Sequence, residues 1–279
     1  MLTVAIIQFP GSNCEYETKK ALDFYGLSSQ IVTWNCSESE LSQFDAYIIP
    51  GGFSYQDRVR AGALPAKLPV MGVLTTAALQ GKPILGICNG CQILVESGLV
   101  PDLNQQQHIQ VALAPNQSQG KDMGFICDWV YLKARYPKRN LFTRYIDSEE
   151  VLPIAINHGE GRFVYSEETA LRLSELAQFQ YVNELGEGVA SYPVNPNGSM
   201  GNIAGLSNVS GNVFAMMPHP ERAYKLDQVP FSVGSTWSMQ KEDTFSEKES
   251  KAGPWESLFV SLAEHLTGRS SFQLQEAHL

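Results

Sequence analysis

The heptapeptide Gly86-Ile87-Cys88-Asn89-Gly90-Cys91-Gln92 constrains this chain more than any other stretch. Before it, the apolar Pro83-Ile84-Leu85 reads as a short buried strand. After it, Ile93, Leu94 and Val95, followed by Gly98, read as a helix with its stop signal. Glycines two residues to either side of Cys88 complete a G-x-Nuc-x-G elbow, the sharp strand-to-helix turn that holds a nucleophile on strained backbone. Side chains at the flanking positions would collide with the neighbouring turn. The helix start aims backbone N–H groups and a positive dipole end at the sulfur, which favours thiolate there.

The residues before the elbow alternate strand and helix patterns. Residues 4–9, 30–34 and 46–50 read as strands, the last ending at Gly51-Gly52. Residues 13–25 read as a helix closed by Gly26, and residues 61–79 as a segment broken by Pro65 and Pro69 that becomes a helix. This βαβα succession predicts a three-layer α/β/α sandwich on a mostly parallel, doubly wound sheet, with the site at its carboxyl edge. From about residue 108 the pattern turns β-rich: 109–113, 125–132, 151–156, 203–206 and 213–217 are expected as an antiparallel extension of the same sheet. Residues 225–253 are polar and charged and are expected to form an insertion loop. Trp255, Leu258, Phe259, Leu262 and Leu266 then recur at helical spacing, a core-facing stripe. The organisation expected is one domain over 1–268 with a frayed tail at 269–279.

With 279 residues, 43% of them hydrophobic, the chain can bury a full core. A net charge of −9 without a basic run argues against nucleic acid or an anionic membrane as partner. Five cysteines lacking disulfide-like spacing favour a reducing compartment. The apolar start is too short for a signal peptide and lacks a basic lead, and no stretch approaches a membrane span. A cytoplasmic protein is expected.

A cysteine nucleophile requires a base and a group that orients it. In Met217-Pro218-His219-Pro220-Glu221-Arg222, His219 and Glu221 are separated by one residue and two prolines stiffen the backbone. Residues two apart on extended backbone share a side, so the imidazole can face Cys88 while the carboxylate holds its other nitrogen. For an oxyanion hole, the elbow supplies the Asn89 N–H, and Gly51-Gly52 stands where a second donor is needed. Other readings remain for the same residues. Cys88 and Cys91 form a C-x-x-C that suits a redox pair, though the glycines fit an elbow better. Zinc lacks a second C-x-x-C or a spaced histidine pair, so no metal site is expected. Cys14, Cys36 and Cys127 read as small core hydrophobes.

Taken together, Cys88 in G-I-C-x-G-x-Q, Pro50-Gly51-Gly52 and His219-Pro220-Glu221 resemble the triad-type, or class I, glutamine amidotransferases. Longer phrases narrow the resemblance: Pro10-Gly11-Ser12-Asn13-Cys14, Gly51-Gly52-Phe53-Ser54-Tyr55, Arg60-Ala61-Gly62-Ala63 and His158-Gly159-Glu160-Gly161 look like the glutaminase component of phosphoribosylformylglycinamidine synthases. The resemblance runs in order over about residues 2–224 and the last helix. It implies hydrolysis of glutamine to glutamate and ammonia, and delivery of the ammonia to a synthetase subunit. That subunit makes formylglycinamidine ribonucleotide with ATP in purine biosynthesis, and a small subunit bridges the two. Cys88, His219 and Glu221 would be the triad, and Gly52 and Asn89 the oxyanion hole. Gln92, with His158, Gly159 and Gly161, would lie at the substrate pocket. No cofactor is implied for this chain, with ATP and magnesium expected in the synthetase. The sequence departs from that pattern at Gln56, where glycine is usual, at Cys91, and in the length of 225–253.

Overall fold

The computed structural model describes residues 2–244 and 251–268; the tail expected to fray lies outside the described residues. Strands β1 (Val4–Gln8), β2 (Ser29–Thr33), β3 (Ala46–Ile49) and β4 (Ile84–Ile87) pair in parallel in the order β2-β1-β3-β4. In β1, β3 and β4 the sequence is a near-continuous apolar run, as strands covered on both faces require. Ile6, Ile7, Ile48, Ile49, Ile84 and Leu85 are fully buried. Helices α1 (Glu15–Phe24), α2 (Glu38–Leu41) and α3 (Val70–Leu79) make the crossovers. The chain steps one way from β1 to β2 and the other way from β2 to β3 and β4. Right-handed crossovers then set α1 on one face and α2 and α3 on the opposite face, giving the doubly wound, three-layer fold. The direction reverses between β1 and β3, and the loops after those strands meet there. Ser12 and Gly52 form a bridge, and the amides of Asn13 and Cys14 both donate to the Gly51 carbonyl at 3.2 Å. Helix α4 (Asn89–Glu96) follows β4, and every one of its residues is buried.

The second half adds β5 (Val111–Ala114), a two-residue pair β6 (Gln117–Ser118) and β7 (Lys121–Asp122), then β8 (Ile126–Ala134), β9 (Val151–His158), β10 (Arg162–Tyr165), β11 (Ala177–Val182), β12 (Ile203–Ser207) and β13 (Val213–Met216). The main sheet runs β2-β1-β3-β4-β13-β12-β11-β8-β9. Its β13 is parallel to β4, and antiparallel pairing begins only at β12. Two expectations change here. The 213–217 strand belongs to the parallel half, beside the elbow strand. Strand β5 leaves the main sheet altogether and pairs with β10 in a two-stranded ribbon. An apolar run announces a strand without naming its neighbour.

Residues 225–253 also differ from the expected loop. Lys225 bridges Ala252, and the amides of Leu226 and Gly253 donate to the carbonyls of Lys251 and Tyr224 at 2.9 and 2.8 Å. The excursion therefore starts and ends at one point. Its described part holds two short 3₁₀ turns and α6 (Thr236–Thr244), and it buries Leu226 and Val229. These two apolar side chains, set among polar ones, anchor the segment to the body. Helix α5 (Glu167–Leu173) lies between β10 and β11, with Ser166 capping Thr169 N–H. Helix α7 (Glu256–Thr267) presents the expected stripe: Leu258, Phe259 and Leu262 are fully buried, and Phe259 stacks on Tyr25 at 5.5 Å. Just before it, Trp255 is fully buried and donates from its indole to the Pro153 carbonyl of β9 at 3.0 Å.

Candidate active site

Cys88 follows β4 directly, with φ 52° and ψ −104°, a positive-φ backbone that a non-glycine residue rarely adopts. Such strain costs about 1–3 kcal/mol and persists only where the surroundings impose it. They do: the Cys88 amide donates to the Met216 carbonyl at 2.9 Å, and the elbow is pressed onto β3. A Cβ at Gly90 would lie 1.9 Å from the Ile49 carbonyl oxygen, and one at Gly86 would lie 2.5 Å from that of Gly90. The thiol points toward β9 and donates to the Asn157 carbonyl at 3.5 Å.

His219 follows β13 and is pinned by β9. Its amide donates to the Ala155 carbonyl at 2.9 Å, closing an antiparallel bridge. Its Nδ1 is 2.5 Å from Glu221 Oε1, and both side chains are about 1% exposed or less. Burial alone would disfavour the imidazolium. The Glu221 charge, the Cys88 charge and the nearness of two thiols outweigh it and hold His219 well above its ordinary pKa. One of those thiols is Cys88; the other is Cys14. The structure thus brings Cys88, His219 and Glu221 together from β4 and the turn after β13.

Cys14 is the residue that reading the sequence missed. It is buried as a core hydrophobe would be, but its sulfur faces the site. Burial, reinforced by Glu221, raises its pKa against the opposing pull of His219 and Arg222. Arg222 donates to Cys14 Sγ at 3.5 Å and to Glu17 at 3.0 Å. Cys91, in contrast, is fully buried on α4, and burial drives its thiol well up.

Gly52 sits beside Gly11 and Ser12, and a Cβ there would be 2.6 Å from Ser12 Cα. Asn89 opens α4, where backbone N–H groups have no partner within the helix. Its side chain clamps the neighbouring loop: Oδ1 accepts the Ser54 N–H at 3.1 Å, and Nδ2 donates to Asp57 at 3.3 Å and to Gln92 Oε1 at 2.9 Å. The clamped loop is strained, with Tyr55, Gln56, Asp57 and Val59 all at positive φ. Gln56, at φ 59° and ψ 28°, keeps a glycine-like conformation although its side chain is not glycine. Asp57 is pushed up to about 6 by burial and by the nearby Glu160, with the Asn89 hydrogen bond opposing.

Gln92 donates to the Glu160 carbonyl at 2.8 Å, so its amide ties the elbow helix to the 158–161 loop. Asn116 shapes that loop: it accepts from Gly161 N–H at 3.0 Å, donates to the His158 carbonyl at 2.7 Å, and pairs with His158 Nδ1 at 3.1 Å. Gly161 lets the chain pass the imidazole, since a Cβ there would meet the His158 ring at 2.3 Å. Gly159 accepts from the Asn116 amide at 2.9 Å. Burial, aided by the charge on His219, lowers His158 to about 3 and keeps it neutral.

A thiol on a strained elbow, a buried imidazole against a carboxylate and a glycine loop at the edge of a doubly wound sheet define a triad-type hydrolase site. The sequence matches the CobB/CobQ-like glutamine amidotransferase domain over residues 1–266. It is 47% identical over 237 residues to the phosphoribosylformylglycinamidine synthase subunit PurQ of Methanothrix thermoacetophila, covering 82% of this chain and 89% of that one. With the subunit of that name from Aquifex aeolicus it shares 43% over 222 residues, 78% of this chain and 90% of the relative. The solved structure of PurLQS from Thermotoga maritima superposes with a TM-score of 0.69 at 32% identity, covering 95% of this chain and 99% of the matched one. The chain belongs to the glutamine amidotransferase family, among its phosphoribosylformylglycinamidine synthase PurQ subunits. Among the described residues, no helix is long and apolar enough to cross a membrane.

Proposed function

We propose that this chain hydrolyses glutamine to glutamate and ammonia and passes the ammonia to a synthetase subunit, which makes formylglycinamidine ribonucleotide from formylglycinamide ribonucleotide in purine biosynthesis. A small subunit bridges the two, and ATP and magnesium act in the synthetase. The observation that supports the chemistry best is the Cys88 thiol on its positive-φ elbow beside the buried His219–Glu221 pair.

Cys88 sulfur attacks the side-chain amide carbon of glutamine while His219 keeps the proton taken from the thiol. The C=O pair moves onto oxygen, which accepts from the backbone N–H groups of Gly52 and Asn89. Each such donor is worth about 2.7–4 kcal/mol in the transition state. As the oxygen pair returns, the C–N bond breaks, His219 gives its proton to the leaving nitrogen, and ammonia departs from a thioester. Water, deprotonated by His219, then attacks the thioester carbon, releasing glutamate and restoring the thiol. Glu221 keeps Nδ1 engaged throughout, so the other ring nitrogen handles the proton. Gln92, His158, Gly159 and Gly161 form the wall that receives the amino-acid end, with Gln92 acting through the Glu160 carbonyl it holds. A reducing cytoplasm suits a chain that depends on a free thiol.

The test is Cys88→Ser in the assembled complex. Losing a triad nucleophile costs on the order of 10⁶ in kcat, so glutamine-dependent synthesis disappears while synthesis from added ammonium salt survives. A glutamine-dependent rate above a few per cent of wild type refutes the assignment.

A further inference from the structure

None of the steps above uses Cys14. Yet its sulfur and His219 Cε1 crowd the same point, 3.1 and 2.8 Å from where a Gly51 Cβ would stand, with Cys88 Cβ at 3.5 Å. Cys14 Sγ, a ring nitrogen of His219 and a carboxylate oxygen of Glu221 lie within 4.8 Å of one another. All three residues are about 1% exposed. Of their polar atoms, Glu221 Oε2 is buried and lacks a hydrogen-bond partner among the described residues, while its Oε1 stands 2.5 Å from His219 Nδ1, the ring nitrogen on this side. Buried polar atoms normally find partners, and an orphaned carboxylate oxygen beside a thiol marks a place where a ligand completes the set.

We propose that Cys14, His219 and Glu221 form a binding site for a soft divalent cation of the zinc class, and that the bound cation silences the glutaminase by engaging the imidazole. The silencing rests on the triad reading given above; the binding does not. One thiolate, one imidazole and one carboxylate make a donor set that suits zinc, with a fourth position left for water. The cation displaces the thiol proton and the proton shared by His219 and Glu221. The two anions left behind neutralise a dication in a place with little water. Ligand atoms on one tetrahedral zinc stand roughly 3.3–3.8 Å apart, so side-chain shifts of about 1 Å close the set. The cation replaces two contacts that Cys14 Sγ now makes, its donation to Asn13 Oδ1 at 3.1 Å and its acceptance from Arg222 at 3.5 Å, and leaves Arg222 on Glu17.

The experiment uses the full chain stripped with a chelator. Cobalt(II) serves as spectroscopic probe, then zinc as competitor. Expected is one cobalt per chain with a thiolate-to-cobalt charge-transfer band, which zinc abolishes. The band should persist in Cys88→Ser and vanish in Cys14→Ala and Cys14→Ser. Zinc-edge absorption on Cys88→Ser should show one sulfur ligand per zinc, a measurement that stands even where a Cys14 variant folds poorly. Half-inhibition of glutamate release should require at least tenfold more zinc in Cys14→Ala, each protein measured against its own metal-free rate. A wild type without the band overturns the site, as does a band that survives loss of Cys14 or follows Cys88 or Cys127. If the band follows Cys14 while Cys88→Ser remains active, the site stands and the triad reading fails.

Discussion

Two helical glycines in this chain should respond in opposite ways to alanine, and the contrast tests how the elbow works. At Gly90 a Cβ would lie 1.9 Å from the Ile49 carbonyl oxygen, where ordinary contact begins at 3.4 Å. The obstacle is backbone of a central strand, so the elbow must retreat by roughly 1.5 Å. Overpacking of this kind costs about 1–3 kcal/mol, and alanine in place of glycine inside a helix returns about 1 kcal/mol. Gly90→Ala is therefore expected to fold with a stability loss of about 0–2 kcal/mol, read as a shift in the urea midpoint. Its chemistry suffers more, because displacing a reacting group by about 1 Å can cost on the order of 10²-fold. We expect kcat/KM for glutamine in the complex to fall by about that factor while ammonium-dependent synthesis is unchanged. Gly72 on α3 is exposed and has nothing within 4 Å of an added Cβ. Gly72→Ala should stabilise by up to about 1 kcal/mol at wild-type activity. If Gly90→Ala stays within a factor of three of wild-type kcat/KM, the tight packing of the elbow on β3 does not position the nucleophile, and the argument fails.

Other outcomes follow from particular side chains. His158 has a folded pKa of about 3 against an ordinary 6.5, so the stability tied to its neutral form is complete above pH 6.5 and drains away as pH falls toward 3; His158→Gln should flatten the urea-midpoint profile across that window, and an unchanged slope refutes this. Gln56→Gly removes left-handed strain of about 1–2 kcal/mol and adds backbone entropy of about 0.5–1 kcal/mol, so calorimetry should find a net gain of about 0–1.5 kcal/mol; a lower Tm contradicts it. Cys91→Ala should keep glutamine-dependent turnover within a few-fold of wild type, since its thiol is fully buried on α4; inactivity equal to that of Cys88→Ser would revive a dithiol role.

The parts of the site that depend on neighbouring residues were legible in the sequence. Gly86, Cys88 and Gly90 declare the elbow within five residues, and His219 and Glu221 declare their pairing within three. Strands β1, β3 and β4 were legible because strands covered on both faces are uniformly apolar. Strand β11 hid because it carries Gln178 and Gln180, and Gln178 is fully buried with its amide bonded to the Glu175 carbonyl at 3.1 Å. Asn116 and Cys14 hid for a different reason. The neighbouring Asn13 accepts the Cys14 thiol at 3.1 Å, but only the reversal between β1 and β3 carries that thiol to His219. Likewise, Asn116 gains its meaning only when β5 and β10 pair and bring it beside the 158–161 loop.

Strand β9 touches the site at two rungs: the Ala155 carbonyl takes the His219 amide, and the Asn157 carbonyl takes the Cys88 thiol. Two residues of antiparallel strand advance about 6.8 Å, so one backbone acts as a ruler with His219 at one mark and Cys88 at the next. Its graduations are peptide units and do not depend on side chains. Loops around the pocket can be lengthened or recoded without altering that interval. A slip of β9 by a single residue, in contrast, misreads both marks at once.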